Sequence, residues 1–263
     1  MEVELNGARI HYRRSGAGYP VVFLHAGVAD SRMWEPQASG LGKHFDVIAP
    51  DMRGYGKSEL PAMSWSPIAD VLALMDALHI REAPHVVGCS IGGGLAIDFA
   101  LEHPDRVSKL VLVGAGVSGQ PYDDKYDSLF TEVNAAEESK DLDVLNEAEM
   151  KLWLVGSGRT PGQVDQRLRD LFLDMNGISL KADFTSAPTR KLDPPAFGRL
   201  AEIKAPTLVV VGDEDLSEIQ DTAELLVSKI PGARKAVIHD AAHLPNLEHP
   251  EKFNRLVLDF LNG

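Results

Sequence analysis

The sequence predicts an α/β protein, a mostly parallel, doubly wound sheet that carries a helical insertion. Three observations lead there. Short β-branched apolar runs recur along the chain and alternate with segments of helical period. The runs are apolar at consecutive positions, as expected of strands covered by helices on both faces. The alternation then lapses between Gly119 and Lys204, where only helical spacing persists.

Taken in order, the chain opens with Val3 to Tyr12, interrupted by Asn6-Gly7, the dipeptide of a tight hairpin turn at a sheet edge. Buried strands follow at Val21 to Leu24, Phe45 to Ala49, His85 to Val87, Lys109 to Val113, Thr207 to Val211 and Ala236 to Ile238. Helices are expected at Pro67 to Leu78, with Ser66 as the N-cap, and at Gly93 to Glu102, Ser217 to Lys229 and Pro250 to Leu261. The last starts on proline and an acid and stops at Asn262-Gly263, as helix ends should. Between Gly119 and Lys204, Leu145 to Val155 and Val164 to Met175 carry apolar residues at three and four spacing. Residues 1–118 and 205–263 therefore form the expected core domain, and residues 119–204 a helical cap.

Composition narrows the function. Hydrophobic and charged contents of 44% and 25% are those of an ordinary globular chain, and 263 residues suffice for a large core. A formal net charge of -13 opposes binding to nucleic acid or to anionic lipid, whose phosphates it would repel. Much of that charge lies between Pro121 and Met150, a block that reads as solvated helical faces. Neither a secretory leader nor a membrane-length apolar run is visible, and the one cysteine, Cys89, suits a reducing compartment, so a cytoplasmic location is expected.

The chemistry centres on Gly88-Cys89-Ser90-Ile91-Gly92, between a strand and a helix. This is the G-x-S-x-G pattern of a nucleophile elbow, in which a strained turn lifts the serine above the sheet edge. Gly88 and Gly92 leave room for it, and the backbone N–H of Ile91, at the helix start, aims at an oxyanion formed beside Ser90. Cys89 points back into the sheet and acts as a small hydrophobe. A serine needs a base, and the base an acid to set its tautomer. Two strand ends downstream offer both: Gly212-Asp213-Glu214-Asp215, then His239-Asp240-Ala241-Ala242-His243-Leu244-Pro245.

Together with His25-Ala26-Gly27 and Asp51-Met52-Arg53-Gly54-Tyr55-Gly56-Lys57-Ser58, these motifs resemble, in order, those of the α/β-hydrolase superfamily. The likeness covers nearly the whole chain and implies that sheet type, with the insertion in the place of the lid. Matched position by position, it implies Ser90 as nucleophile, Asp215 as acid and His243 as base, with Asp213 and His239 as decoys nearer their strand ends. It implies the N–H groups of Ile91 and Gly27 as the oxyanion hole, although Ala26 stands where the family usually has glycine. Val28 is the alternative donor. His25 and the Asp51 to Ser58 loop are read as structural ties. Val28 and Trp153 are candidate pocket residues, Trp153 with a competing place in the cap's own core.

The resemblance implies an esterase or lactonase acting on a small acyl substrate through an acyl-enzyme, without cofactor or metal. Serine at the elbow sets it apart from relatives that carry aspartate there. The same triad also serves C-C bond (diketone) hydrolases, perhydrolases and small-molecule receptors. Two rival signals are weak: Gly114 to Gly119 matches G-x-G-x-x-G but leads into no apolar helix, and the zinc-like spacing of His239 and His243 falls on a loop.

Overall fold

At the sheet edge Asn6 and Gly7 both take positive φ, 48° and 81°, and turn β1 (Glu2–Leu5) back onto β2 (Ala8–Gly16). Glycine and asparagine tolerate that conformation best, which is why the dipeptide marks the hairpin. The computed structural model describes residues 1–263. Six more strands follow: β3 (Tyr19–Leu24), β4 (Phe45–Pro50), β5 (His85–Cys89), β6 (Lys109–Val113), β7 (Thr207–Gly212) and β8 (Arg234–Ile238). Their order is β1-β2-β4-β3-β5-β6-β7-β8. Only the pairs β1·β2 and β2·β4 are antiparallel; β3 to β8 run parallel.

The strand order reverses at β3 and β5, which lie side by side. In such sheets the loops diverge at the carboxyl ends of the two strands and leave a crevice there. The loop of Gly27 follows β3, and Ser90 follows β5.

The chain forms nine α-helices: α1 (Glu35–Leu41), α2 (Pro67–Ala77), α3 (Ile91–Glu102), α4 (Thr131–Ser139), α5 (Leu142–Met150), α6 (Gln166–Ser179), α7 (Ser217–Lys229), α8 (Pro245–Glu248) and α9 (Pro250–Asn262). Ser66 caps α2 as expected, its side chain accepting a hydrogen bond from the Ala69 N–H. The apolar interior divides into two large clusters. One joins inner residues of β3 and β5 to α2, α3 and α7, with Leu74, Phe99 and Leu226. The other joins the remaining strand positions to Trp34, to Leu41 of α1 and to Phe253 and Val257 of α9.

Helices α4, α5 and α6 lie between β6 and β7, and no strand of the sheet falls there. This segment is no detached appendage. Met150, Leu154, Phe172 and Met175 belong to the same cluster as Val28, Ala29 and Met33 of the β3 loop. Phe172 is fully buried, and burial of such a side chain contributes about 1.5–3 kcal/mol. The run Leu145 to Val155 departs from its expected single helix. α5 ends at Met150, and a π-turn over Lys151–Val155 follows, closed by Gly156 N–H donating to Lys151 O at 3.0 Å. An apolar period of three and four cannot distinguish the two.

Candidate active site

Ser90 lies between β5 and α3 with φ 54° and ψ -117°. For a residue with a side chain this backbone is strained by about 1–3 kcal/mol, and the surroundings enforce it. The Ser90 N–H donates to Val113 O on β6 at 2.9 Å, and Ser90 O accepts from Gly94 N–H at 3.0 Å. The two glycines of the motif are steric requirements. A Cβ on Gly88 would lie 2.2 Å from Gly92 O, and one on Gly92 would lie 2.4 Å from Leu24 O. Cys89 is fully buried, and burial pushes its thiol well above the ordinary range, so little of it is thiolate.

Asp215 follows β7 and His243 follows β8, and their side chains meet in the interior. His243 Nδ1 lies 2.9 Å from Asp215 Oδ2, with both side chains 1% exposed. The other carboxylate oxygen accepts the Leu216 N–H at 2.8 Å. A carboxylate accepts only, so Nδ1 carries the proton of neutral His243 and Nε2 keeps its lone pair. Nε2 is buried without a hydrogen-bond partner, and Ser90 forms no side-chain bond to it in this conformation. Such contacts are often long before a substrate arrives.

The two expected decoys, Asp213 and His239, pair with each other. His239 Nδ1 lies 2.7 Å from Asp213 Oδ2, but these side chains are 77% and 38% exposed. Burial raises the Asp213 pKa, and the hydrogen bonds from His239 and Asp240 N–H more than offset it, leaving the carboxyl below its ordinary value.

Of the two expected oxyanion donors, Ile91 opens α3, where the first N–H groups of a helix have no partner within it. Gly27 faces it across the crevice: a Cβ there would lie 3.3 Å from Ile91 Cδ1. His25 holds this loop. Its Nε2 accepts the Met52 N–H at 2.9 Å, so its Nδ1 donates to Ala26 O at 2.8 Å. Full burial lowers its pKa and favours that neutral tautomer. Asp51 accepts N–H groups from Ser31 and Lys57, and buried Arg53 grips Asp70 at 2.6 and 2.9 Å. The Asp51 to Ser58 motif is thus a set of turn ties, with Met52 and Tyr55 alone reaching the cleft below.

That cleft, of about 540 Å³, opens beside Ser90 and Ile91 and is lined by Tyr55, Trp65, Leu95, Phe184 and Leu192 among others. Burial raises the Tyr55 phenol to about 12, so it stays neutral. Arg190 and Lys191 also line the cleft, are exposed, and form no ion pair. Neither Val28 nor Trp153, the expected pocket residues, lines it. Val28 is buried in the apolar cluster that also holds Phe172 and Met175 of the insertion. Trp153 bridges the insertion and the core domain, its ring 4.5 Å from that of His243 and 6.3 Å from that of Phe130 in the insertion.

One residue escaped sequence reasoning. Gly114, at φ 49°, faces the Asp215–His243 pair, and a Cβ there would lie 3.0 Å from His243 Nδ1 and 3.3 Å from Asp215 Oδ2. Its glycines attracted attention only as a nucleotide-binding pattern. The signal available was a glycine just after β6, the strand between those that lead to Ser90 and Asp215.

Comparisons with known proteins agree with this architecture. The family model described as alpha/beta hydrolase fold matches residues 19–250. A 2-hydroxy-6-oxo-6-phenylhexa-2,4-dienoate hydrolase of Burkholderia cepacia is 32% identical, the match covering 100% of this chain and 94% of that protein. Among solved structures, an N-acyl homoserine lactone degrading enzyme is 29% identical with a TM-score of 0.78, covering 99% of this chain and 100% of the other. The enol-lactonase of Burkholderia xenovorans is 28% identical with a TM-score of 0.76 and full coverage of both chains. With the family model spanning most of its length, and relatives aligned from end to end, this chain belongs to the alpha/beta hydrolase fold family.

Proposed function

We propose that the protein hydrolyses a small carboxylic ester or lactone through an acyl-enzyme on Ser90. The observation that carries hydrolysis through Ser90 is the buried Asp215–His243 pair, beside a serine raised on a strained elbow that opens on a cleft, and the esterase and lactonase neighbours support the ester or lactone choice. His243 Nε2 takes the Ser90 proton as the hydroxyl attacks the carbonyl, and Asp215 holds the imidazolium that forms. The N–H groups of Ile91 and Gly27 stabilise the oxyanion. His243 then returns the proton to the leaving oxygen, and water, activated by the same imidazole, releases the acid. The insertion, residues 119–204, acts as the cap over this site.

The curated relatives favour a second reading, hydrolysis of a C-C bond in a dienoate. An ester expels oxygen, which needs only the proton on His243. A C-C bond expels carbon, which must be stabilised as an enol or enolate and requires a further polar group on the substrate's far side. Arg190 and Lys191 are the unpaired cations available for it, and they also favour carboxylate-bearing esters.

A panel of p-nitrophenyl esters, lactones and 2-hydroxy-6-oxo dienoates, each neutral and carboxylate-bearing where chemistry allows, separates the readings. Ester or lactone turnover that disappears in Ser90→Ala supports the first. Turnover of the dienoates alone supports the second. Stoichiometric acylation without turnover points to a receptor that retains the triad.

A further inference from the structure

The stretch from Trp153 to Arg159 touches both loops that carry the Asp215–His243 pair. On the base side, the His243 backbone N–H donates to Trp153 O at 3.1 Å, and the two rings pack against each other at a 41° tilt. On the acid side, the Ser157 N–H donates to Glu214 O at 3.3 Å, one residue before Asp215. The two glycines between are close-packed against these loops. A Cβ on Gly156, at φ 79°, would lie 2.3 Å from Glu214 O and 2.9 Å from Ala242 Cβ, and one on Gly158 would meet the Glu214 carboxylate at 2.1 Å.

Arg159 locks the arrangement. Its Nε donates to Val155 O at 2.8 Å and its Nη2 to Leu154 O at 2.9 Å, both carbonyls at the end of the π-turn. Its Nη1 donates to Asp240 O at 2.9 Å on the base loop. The same Nη2 lies 2.6 Å from Glu248 Oε2, in an ion pair whose side chains are 11% and 5% exposed. Glu248 Oε1 in turn accepts the Ala242 N–H at 2.7 Å, next to His243. A planar guanidinium can serve these directions at once; an ammonium cannot.

We infer that Arg159 is a positioning residue for the acid–base pair, so that the insertion, besides covering the cleft, holds the two loops in register. This rests on the reading of Asp215 and His243 as acid and base. A displacement of about 1 Å in such a pair costs roughly 10²-fold in rate. The effect belongs in kcat, because Arg159 lies outside the cleft beside Ser90.

The test measures kcat, KM, Tm and Trp153 fluorescence for Arg159→Met, Arg159→Lys, Glu248→Gln and the double variant Arg159→Met/Glu248→Gln, on whichever ester or dienoate the parent turns over. Trp153→Phe supplies the blank that isolates the Trp153 signal. Arg159→Met should lose about 10²-fold in kcat with KM within about threefold, and Trp153 emission should change as its contact with the His243 ring loosens. Arg159→Lys should recover only part. The double variant leaves no buried charge unpaired, so it should regain Tm without regaining kcat. Should Arg159→Met alone fail to fold, the lysine and double variants decide. Parental kcat in the folded double variant, or a kcat loss that merely follows Tm, overturns the inference. Inactive Ser90→Ala and His243→Ala beside fully active Arg159 variants would refute the positioning role alone. Activity surviving in Ser90→Ala and His243→Ala would instead refute the triad.

Discussion

The molecule carries two aspartate–histidine pairs on the same two loops, and they differ in almost nothing but burial. Asp213 and His239 approach to 2.7 Å at the surface, and Asp215 and His243 to 2.9 Å in the interior. A contact distance therefore does not identify an acid–base dyad. The outer pair is screened by water, where an ion pair contributes at most about 1 kcal/mol. The inner pair is shielded, leaves one imidazole nitrogen without a partner, and lies under Trp153 and against Gly114. Electrostatic interactions count for more in such a site, and an error of position costs more.

Exchanging the two histidines gives the largest contrast. His243→Ala should lower kcat by about 10⁶, as loss of the base does in serine hydrolases, while His239→Ala stays within about threefold. Comparable losses in two folded variants would remove the distinction. The acids should follow at a smaller scale. Asp215→Asn should cost about 10⁴ in kcat through the wrong tautomer, with Asp213→Asn close to parental. Steady-state kinetics beside circular dichroism checks both.

A subtler way to disturb the inner pair leaves its members in place. Gly114→Ala puts a methyl against His243 and imposes an unfavourable φ, so kcat should fall about 10²-fold with a smaller change in KM. An unaffected kcat would mean that the pair can shift without consequence.

The outer pair should be legible in stability instead. The Asp213 carboxyl is held below its ordinary value, so its contribution is complete above the unfolded value of about 3.9 and is lost as pH falls through the lower folded value. Asp213→Asn should lower Tm slightly at pH 7, and the difference from parent should shrink to nothing on acidification. A difference that grows at low pH would reverse the sign and disprove the linkage.

Much of this was readable from the chain. The strands stand out because strands buried on both faces need uninterrupted apolar runs, and the elbow because its glycines answer a local steric demand. The order of serine, acid and base followed from strand ends, which bring distant positions to one edge of the sheet. The short helices α1, α4 and α8 were not read, since a helix of four to nine residues depends on its neighbours more than on its own pattern.

By itself, then, the sequence determined the sheet, its alternation with helices, the strained serine and the four aspartate and histidine candidates at two strand ends. Each depends on local sterics or on periodicity, and both are written in consecutive residues. Tertiary structure alone decided that one pair is buried and the other wet, that Val28 is buried with residues of the insertion, and that Trp153 packs against His243. It also decided that Arg159 and Glu248, 89 positions apart by their numbering, meet beside the base. These facts depend on which surfaces of the insertion and the sheet exclude water from each other, and no window of sequence contains both surfaces.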